Sequence, residues 1–241
     1  MIRFEKYLFI FSGVAFLLFL QSCSSSVETE KEVRYEEKKT IKNIDIEERE
    51  YISSAKISSI EKINFNLDSN GKPVKSEKLS TQKYNSKGFL TETIIYDSEE
   101  KIISKFKYDY DNNGKRIETT SSSDGSIKNY FTYEYDKYGN KIKAYRYDPS
   151  EKLEEYYFYE YDEEGNLIEE EWFASSGEKV YSVENDYDNG VKTRTSTFDE
   201  NNNLIYEYFF KYDEKGYVIE ELKYDSNGVQ EGLIQYIYKY F

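Results

Sequence analysis

One motif constrains this chain more than any other feature. An aromatic residue is followed by Asp or Asn and, two or three residues on, by Gly, and the pattern returns at a nearly constant interval. Tyr84, Tyr110, Tyr135, Tyr161, Tyr187, Tyr212 and Tyr238 stand 26, 25, 26, 26, 25 and 26 residues apart. Gly88, Gly114, Gly139, Gly165, Gly190 and Gly216 follow the first six. Eight residues beyond each glycine comes Tyr96, Ser122, Tyr147, Phe173, Phe198 or Tyr224. A second turn signal follows each of these, such as Asp97-Ser98-Glu99, Asp148-Pro149-Ser150 or Asp225-Ser226-Asn227-Gly228. The two shorter intervals come from single deletions inside turns, near Asp124 and in Asp188-Asn189-Gly190. A fixed period with length changes confined to turns means one supersecondary unit repeated and stacked.

Turn chemistry identifies the unit as two β-hairpins. Asp at the first position and Gly at the fourth suit a type I turn closed by a left-handed residue. The segments between turns are rich in Tyr, Phe, Ile and Thr, which favour strands. The strand before each glycine turn alternates with period two. Phe106, Tyr108 and Tyr110 share one face, as do Phe131, Tyr133 and Tyr135, and Tyr157, Tyr159 and Tyr161. Their alternates are mostly polar. After the turn two phases compete: Ile117, Ile142, Ile168 and Ile219 mark one, and Leu90, Leu167 and Val218 the other. Leu67-Asp68-Ser69-Asn70-Gly71 carries the same turn grammar, so the sheet is expected to begin near Ile57 and to hold about fourteen strands. The expected fold is all-β, an antiparallel meander of hairpins forming an elongated, twisted or curled sheet. Laid open at ~4.8 Å per strand it would extend ~65 Å. One aromatic face left bare over that width would aggregate, so the sheet should curl or fold back on it.

Composition removes several functions. The net charge of −14 argues against nucleic acid, whose phosphates require Lys and Arg clusters. With no His, and Cys23 the single Cys, cysteine or histidine nucleophiles, His general bases and zinc sites of the usual ligand types are missing, as are disulfides within the chain. No residue constellation calls for a cofactor. Acidic runs such as Glu169, Glu170 and Glu171 read as a solvated face rather than a glycosidase pair, and the expectation is that the protein is not an enzyme. Asp109-Tyr110-Asp111-Asn112-Asn113-Gly114 matches the first half of a calcium loop. However, Thr120 stands where a bidentate Glu is needed, which leaves a plain turn.

The N-terminus divides into an address and a tether. Residues 1–22 read as a signal peptide: Arg3 and Lys6, then the apolar run Tyr7 to Leu20, shorter than the ~20 residues of a transmembrane helix. Leu20-Gln21-Ser22-Cys23 resembles the lipobox of bacterial lipoproteins. That resemblance implies cleavage before Cys23, diacylation of its sulfur and acylation of the new N-terminus, hence a membrane partner through lipid. Residues 23–50 then form a charged tether, and residues 51–241 the repeat domain, with about six repeats from residue 84. Ser24 and Ser25 beside the lipidated Cys resemble the sorting pattern of outer-membrane cargo.

Segments such as Tyr133-Glu134-Tyr135-Asp136-Lys137-Tyr138-Gly139 and Tyr159-Glu160-Tyr161-Asp162-Glu163-Glu164-Gly165 resemble the YD repeats of RHS-type bacterial proteins, over roughly residues 80–241. In that family the hairpins build a spiralling shell around a toxin. The interval here is longer and six units are too few to enclose a protein. The hairpin grammar carries over and the shell does not. MORN-like hairpin repeats are a looser likeness.

Tyr130, Tyr156, Phe158, Trp172 and Phe209 interrupt the polar face of the strands and are the candidate ligand-binding residues. They would form a platform for sugar rings or a partner surface, or become core if the sheet rolls. The expected protein is a lipid-anchored envelope or cell-surface lipoprotein that binds a protein or glycan through its tyrosine-rich sheet. A passive envelope spacer and an immunity-type lipoprotein are the alternatives.

Overall fold

The computed structural model describes residues 44–68, 70–122 and 126–241. The signal peptide, Cys23 and the tether up to residue 43 lie outside the described residues. One helix, α1 (Ile44–Ser54), precedes fourteen strands. These are β1 (Ile57–Leu67), β2 (Pro73–Tyr84), β3 (Leu90–Tyr96), β4 (Ile102–Tyr110), β5 (Arg116–Ser122), β6 (Ile127–Tyr135) and β7 (Lys141–Tyr147). They continue as β8 (Leu153–Tyr161), β9 (Leu167–Ala174), β10 (Lys179–Asp188), β11 (Val191–Asp199), β12 (Leu204–Tyr212), β13 (Val218–Asp225) and β14 (Gln230–Tyr240). Strand number and starting point match the repeat reading. Every strand pairs antiparallel with its sequence neighbours, and β1 also pairs with β14, Ile60 opposite Tyr238. The meander is therefore a closed barrel rather than an open curled sheet. Closure removes the two free edges that a sheet of this width would expose, which is the physical reason for preferring it.

Most of the described turns share one pattern, the two-residue turn between Asp188 and Val191 being an exception. In Asp111-Asn112-Asn113-Gly114 the Asp111 N–H donates to Lys115 O at 2.8 Å and the Gly114 N–H donates to Asp111 O at 3.0 Å. The Asp111 carboxylate accepts the N–H groups of Asn113 and Lys115 at 2.9 and 2.8 Å. Those two backbone donors occupy the oxygen that a calcium loop would turn to a metal. Side-chain hydrogen bonds from Ser150 and Asn203, together with the same backbone bonds, hold the Asp148 and Asp199 carboxyls below the usual range, and the backbone bonds lead at Asp225.

A register shift follows every glycine turn and settles the competing phases. Tyr110 pairs with Arg116 and Asp109 with Glu118, so Ile117 is an extra residue, a β-bulge. Ile142, Ile168 and Ile219 occupy the same bulge position in their units. The inward phase belongs to Leu90, Arg116, Lys141, Leu167, Lys192 and Val218, each opposite a repeat tyrosine. Leu167 is buried, whereas Ile117 and Ile219 are exposed. In four units the carbonyl just before the bulge takes a hydrogen bond from the tyrosine one repeat later, whereas the Tyr187 hydroxyl is buried without one. Tyr110 donates to Leu90 O at 2.9 Å, Tyr135 to Arg116 O at 2.6 Å, Tyr212 to Lys192 O at 2.6 Å and Tyr238 to Val218 O at 2.8 Å. This is why the repeat position is Tyr: a Phe would fill the space and leave the carbonyl unserved.

The core lies inside the barrel in two clusters. Phe131, Ala144, Tyr157, Tyr159 and Leu167 form one, joined by Phe106, Tyr133, Tyr161 and Trp172. Ile52, Ile57, Ile60 and Tyr84 form the other, at the mouth framed by the glycine turns. There α1 docks on the rim, although it starts within the stretch expected to be spacer. Arg49 donates to Gly114 O at 3.0 Å and stacks on Phe89, Ser53 donates to Ser86 O at 3.0 Å, and Tyr51 packs on Tyr217. The approach is so close that a Cβ on Gly88, whose φ is +81°, would stand 2.0 Å from Arg49 O.

Candidate functional site

Closure gives the two faces of each strand different surroundings. Inward side chains meet the core and outward ones meet solvent. On β6 to β9 the outward series includes Tyr130, Tyr147 with Tyr145, Tyr156 with Phe158, and Phe173. Register places Tyr130 opposite Tyr147, Tyr145 opposite Tyr156, and Tyr156 opposite Phe173. The rings form a cross-strand ladder. Tyr130 and Tyr147 stack with centroids 5.1 Å apart and planes 15° apart, and Tyr156 and Phe173 at 5.2 Å and 5°. Phe158 stands nearly at right angles to both Tyr156 and Phe173, at 5.4 and 5.5 Å. Lys143 Nζ lies 5.6 Å from the Phe158 ring centre.

Stacked neighbours turn their faces toward each other. What such a ladder offers outward is a row of ring edges and hydroxyls. Tyr145 donates to Glu134 at 2.7 Å, and burial together with that carboxylate holds its phenol well above the ordinary value.

Four of the five residues expected from the sequence face outward: Tyr130, Tyr156, Phe158 and Phe209. The first three fall in one ladder. Phe209 belongs to a second outer row across β12, β13, β14 and β1, in which it stands opposite Leu222, Leu222 opposite Leu233, and Leu233 opposite Phe65. The charges bordering that row pair within the wall: Arg194 with Glu207, Lys211 with Glu220, and Lys239 with Glu61. Trp172 departs from the expectation. It faces inward, opposite Tyr157, and its ring meets Tyr181 edge-on at 4.4 Å. The ladder also contains Tyr145, Tyr147 and Phe173. Tyr147 and Phe173 fall eight residues after a repeat glycine, so the period itself held the signal for them.

Toward the glycine-turn mouth the same wall changes from aromatic to acidic. Glu160 on β8 is directly opposite Glu169 on β9, which is directly opposite Glu184 on β10. Glu160 and Glu184 are exposed. Partial burial, with like charge on Glu171, Glu160 and Glu184, raises the Glu169 carboxyl above its usual range against the pull of Lys179. Lys179 itself bonds Glu171 at 3.0 Å.

Inside the barrel, Lys62 reaches Glu221 at 3.1 Å and Tyr236 donates to the same carboxylate. Lys192 donates to Asn185 at 2.9 Å, and burial lowers its amine to about 8 despite Glu221 and Glu170. These groups bond one another and are part of the interior packing. Among the described residues no three Asp, Glu, His or Cys side chains gather in a way that would hold a metal ion.

No family model matches the sequence, and no curated protein matches it. Among solved structures, the chain is similar to a porin-like protein from Bacteroides uniformis, at 14% identity and TM-score 0.43, over 76% of this chain and 98% of that one. It is similar to a porin-like protein from Bacteroides vulgatus at 10% identity and TM-score 0.41, over 76% and 98%. A DUF1329 family protein from Desulfovibrio piger follows at 11% identity and TM-score 0.32, over 81% and 91%.

Proposed function

We propose that this chain is a lipoprotein of the bacterial envelope, acylated at Cys23, whose barrel stands in water and binds a partner protein through the aromatic wall of β6 to β9. The observation that carries the reading is the ladder of Tyr130, Tyr147, Tyr156 and Phe173. The core is on the other face of these strands, so core packing does not account for it. Contiguous outward aromatic surface marks interaction sites. The face-to-face stacking favours a protein over a glycan, because a sugar ring packs on an aromatic face and each stacked pair already uses one face of both rings. A tethered barrel also suits the outer wall better than an embedded one. A membrane-spanning barrel needs an outward apolar band ~25 Å tall, whereas Lys107, Asp109, Glu118, Glu134, Glu160, Glu184 and Lys211 point outward and are exposed around this one.

The test is photocross-linking in intact cells from a cross-linker placed at Tyr156, with Tyr240, exposed on β14, as the reference position. A discrete adduct from position 156 and none from position 240 is the expected result. No adduct from 156 would overturn the binding reading and leave the passive spacer.

A further inference from the structure

The aromatic ladder accounts for half of the β6 to β9 wall; its acidic half is the part that structure alone does not favour. Cross-strand neighbours of like charge destabilise a sheet, yet Glu160, Glu169 and Glu184 face one another across three successive strands. The turn beside them adds Glu163 and Glu164, both exposed. The second outer row, around Phe209, shows the contrast: its bordering charges pair within the wall. We propose that the β6 to β9 wall, continued onto β10, docks a cationic, extended protein segment, its Lys or Arg side chains on the Glu160–Glu169–Glu184 row and its remaining side chains along the edges of the Tyr156 and Phe173 rings. This inference rests on the reading of that wall as a binding face and names the chemistry of its partner. Charge complementarity selects this partner: a row of carboxylates that repel one another is relieved when a cationic chain crosses it. The reach is compatible as well. The row spans ~10 Å over three strands and three alternate residues of an extended segment span ~13 Å, a difference that the long, flexible Lys or Arg side chain takes up.

The test uses the full acylated chain in nanodiscs of zwitterionic lipid, with empty nanodiscs as the blank. The probes are a short fluorescent peptide alternating Lys and Thr and a counterpart alternating Glu and Thr. The Lys peptide is expected to bind saturably and to weaken as salt screens the charges, and the Glu peptide not to bind. The variant E160Q/E169Q/E184Q should weaken Lys-peptide binding at least about tenfold while raising the urea midpoint, because the same change removes the repulsion. That opposite movement separates lost recognition from lost folding. Y156A should weaken binding of the same peptide, showing that the ladder and the acidic row act together. Equal affinity in the triple variant, equal binding of the two peptides, or no saturable binding of the Lys peptide would overturn the proposal. A Tyr156 adduct in cells that persists unchanged in the triple variant would overturn it while leaving the partner-binding reading standing.

Discussion

Removing a single oxygen from one repeat tyrosine tests the link between repeat and fold. In Y212F the ring stays and the hydrogen bond to Lys192 O, 2.6 Å long, is lost; in Y135F the one to Arg116 O goes, also 2.6 Å. Both carbonyls precede bulge residues, at which the strand ladder is interrupted. A net hydrogen bond contributes ~0.5–1.5 kcal/mol, and an acceptor left unserved in a half-buried site costs ~1–3 kcal/mol. Each variant should therefore lose about 1–2 kcal/mol. At ~2–4 °C per kcal/mol for a domain of this size, the melting temperature should fall by ~2–8 °C. The reference is Y240F, because Tyr240 is 57% exposed and joins no such bond. Urea unfolding followed by Trp172 fluorescence is a direct assay, since the single Trp lies against the core cluster. The midpoint should drop in Y212F and Y135F with an unchanged slope, and stay put in Y240F. Equal midpoints in all three would refute the idea that the tyrosine hydroxyl locks the bulge.

Four further outcomes follow from the same structure. G88A should destabilise more than G190A: both bear the left-handed strain of ~1 kcal/mol, but only Gly88 has Arg49 O where the Cβ would go, while Gly190 has open space; chemical denaturation compares them. Lys192 has a folded value of about 8 against an ordinary 10.5, so the unfolded chain binds more protons between those limits and stability rises with pH there. Relative to K192M, the parent should gain roughly 1–2 kcal/mol between pH 8 and 9.5 at 1.36 kcal/mol per unit. On the acid side, the lowered Asp148, Asp199 and Asp225 carboxyls support the fold above their unfolded values, and that support disappears as pH falls through the folded ones; their Asn variants should flatten an acid-unfolding curve. C23S should move the protein from the membrane fraction to the soluble envelope fraction, because one or more acyl chains at ~0.8 kcal/mol per buried CH₂ supply the proposed attachment.

The sequence made the hairpins readable and left their closure hidden, for reasons that can be named. Turn residues and period-two aromatics are local signals, so the strand number and the inward tyrosines could be read directly. The phase after each glycine turn could not, because Ile117, Ile142, Ile168 and Ile219 sit at bulges, where alternation slips by one residue. Trp172 faces inward against the sequence pattern for a related reason. Glu169, Glu170 and Glu171 put carboxylates on both faces of β9, so polarity does not reveal which way Trp172 turns. Helix α1 is held by Ile52 and Tyr51 among charged neighbours, too sparse a stripe to stand out in a tether-like run. The ladder candidates were visible because aromatics at polar positions are conspicuous. That they face away from the core follows only from closure, and the pairing of β1 with β14 joins segments about 180 residues apart that no local pattern connects.

Closure is the claim on which the outward ladder, the acidic row and the docked helix all depend. Amide hydrogen exchange across residues 57–67 and 230–240 tests it most directly. In the barrel both strands are paired on both sides, and their amides should be protected to the level of the central strand β7. If every second amide in these two segments exchanged as fast as the turns, β1 and β14 would be free edges and the barrel would be open.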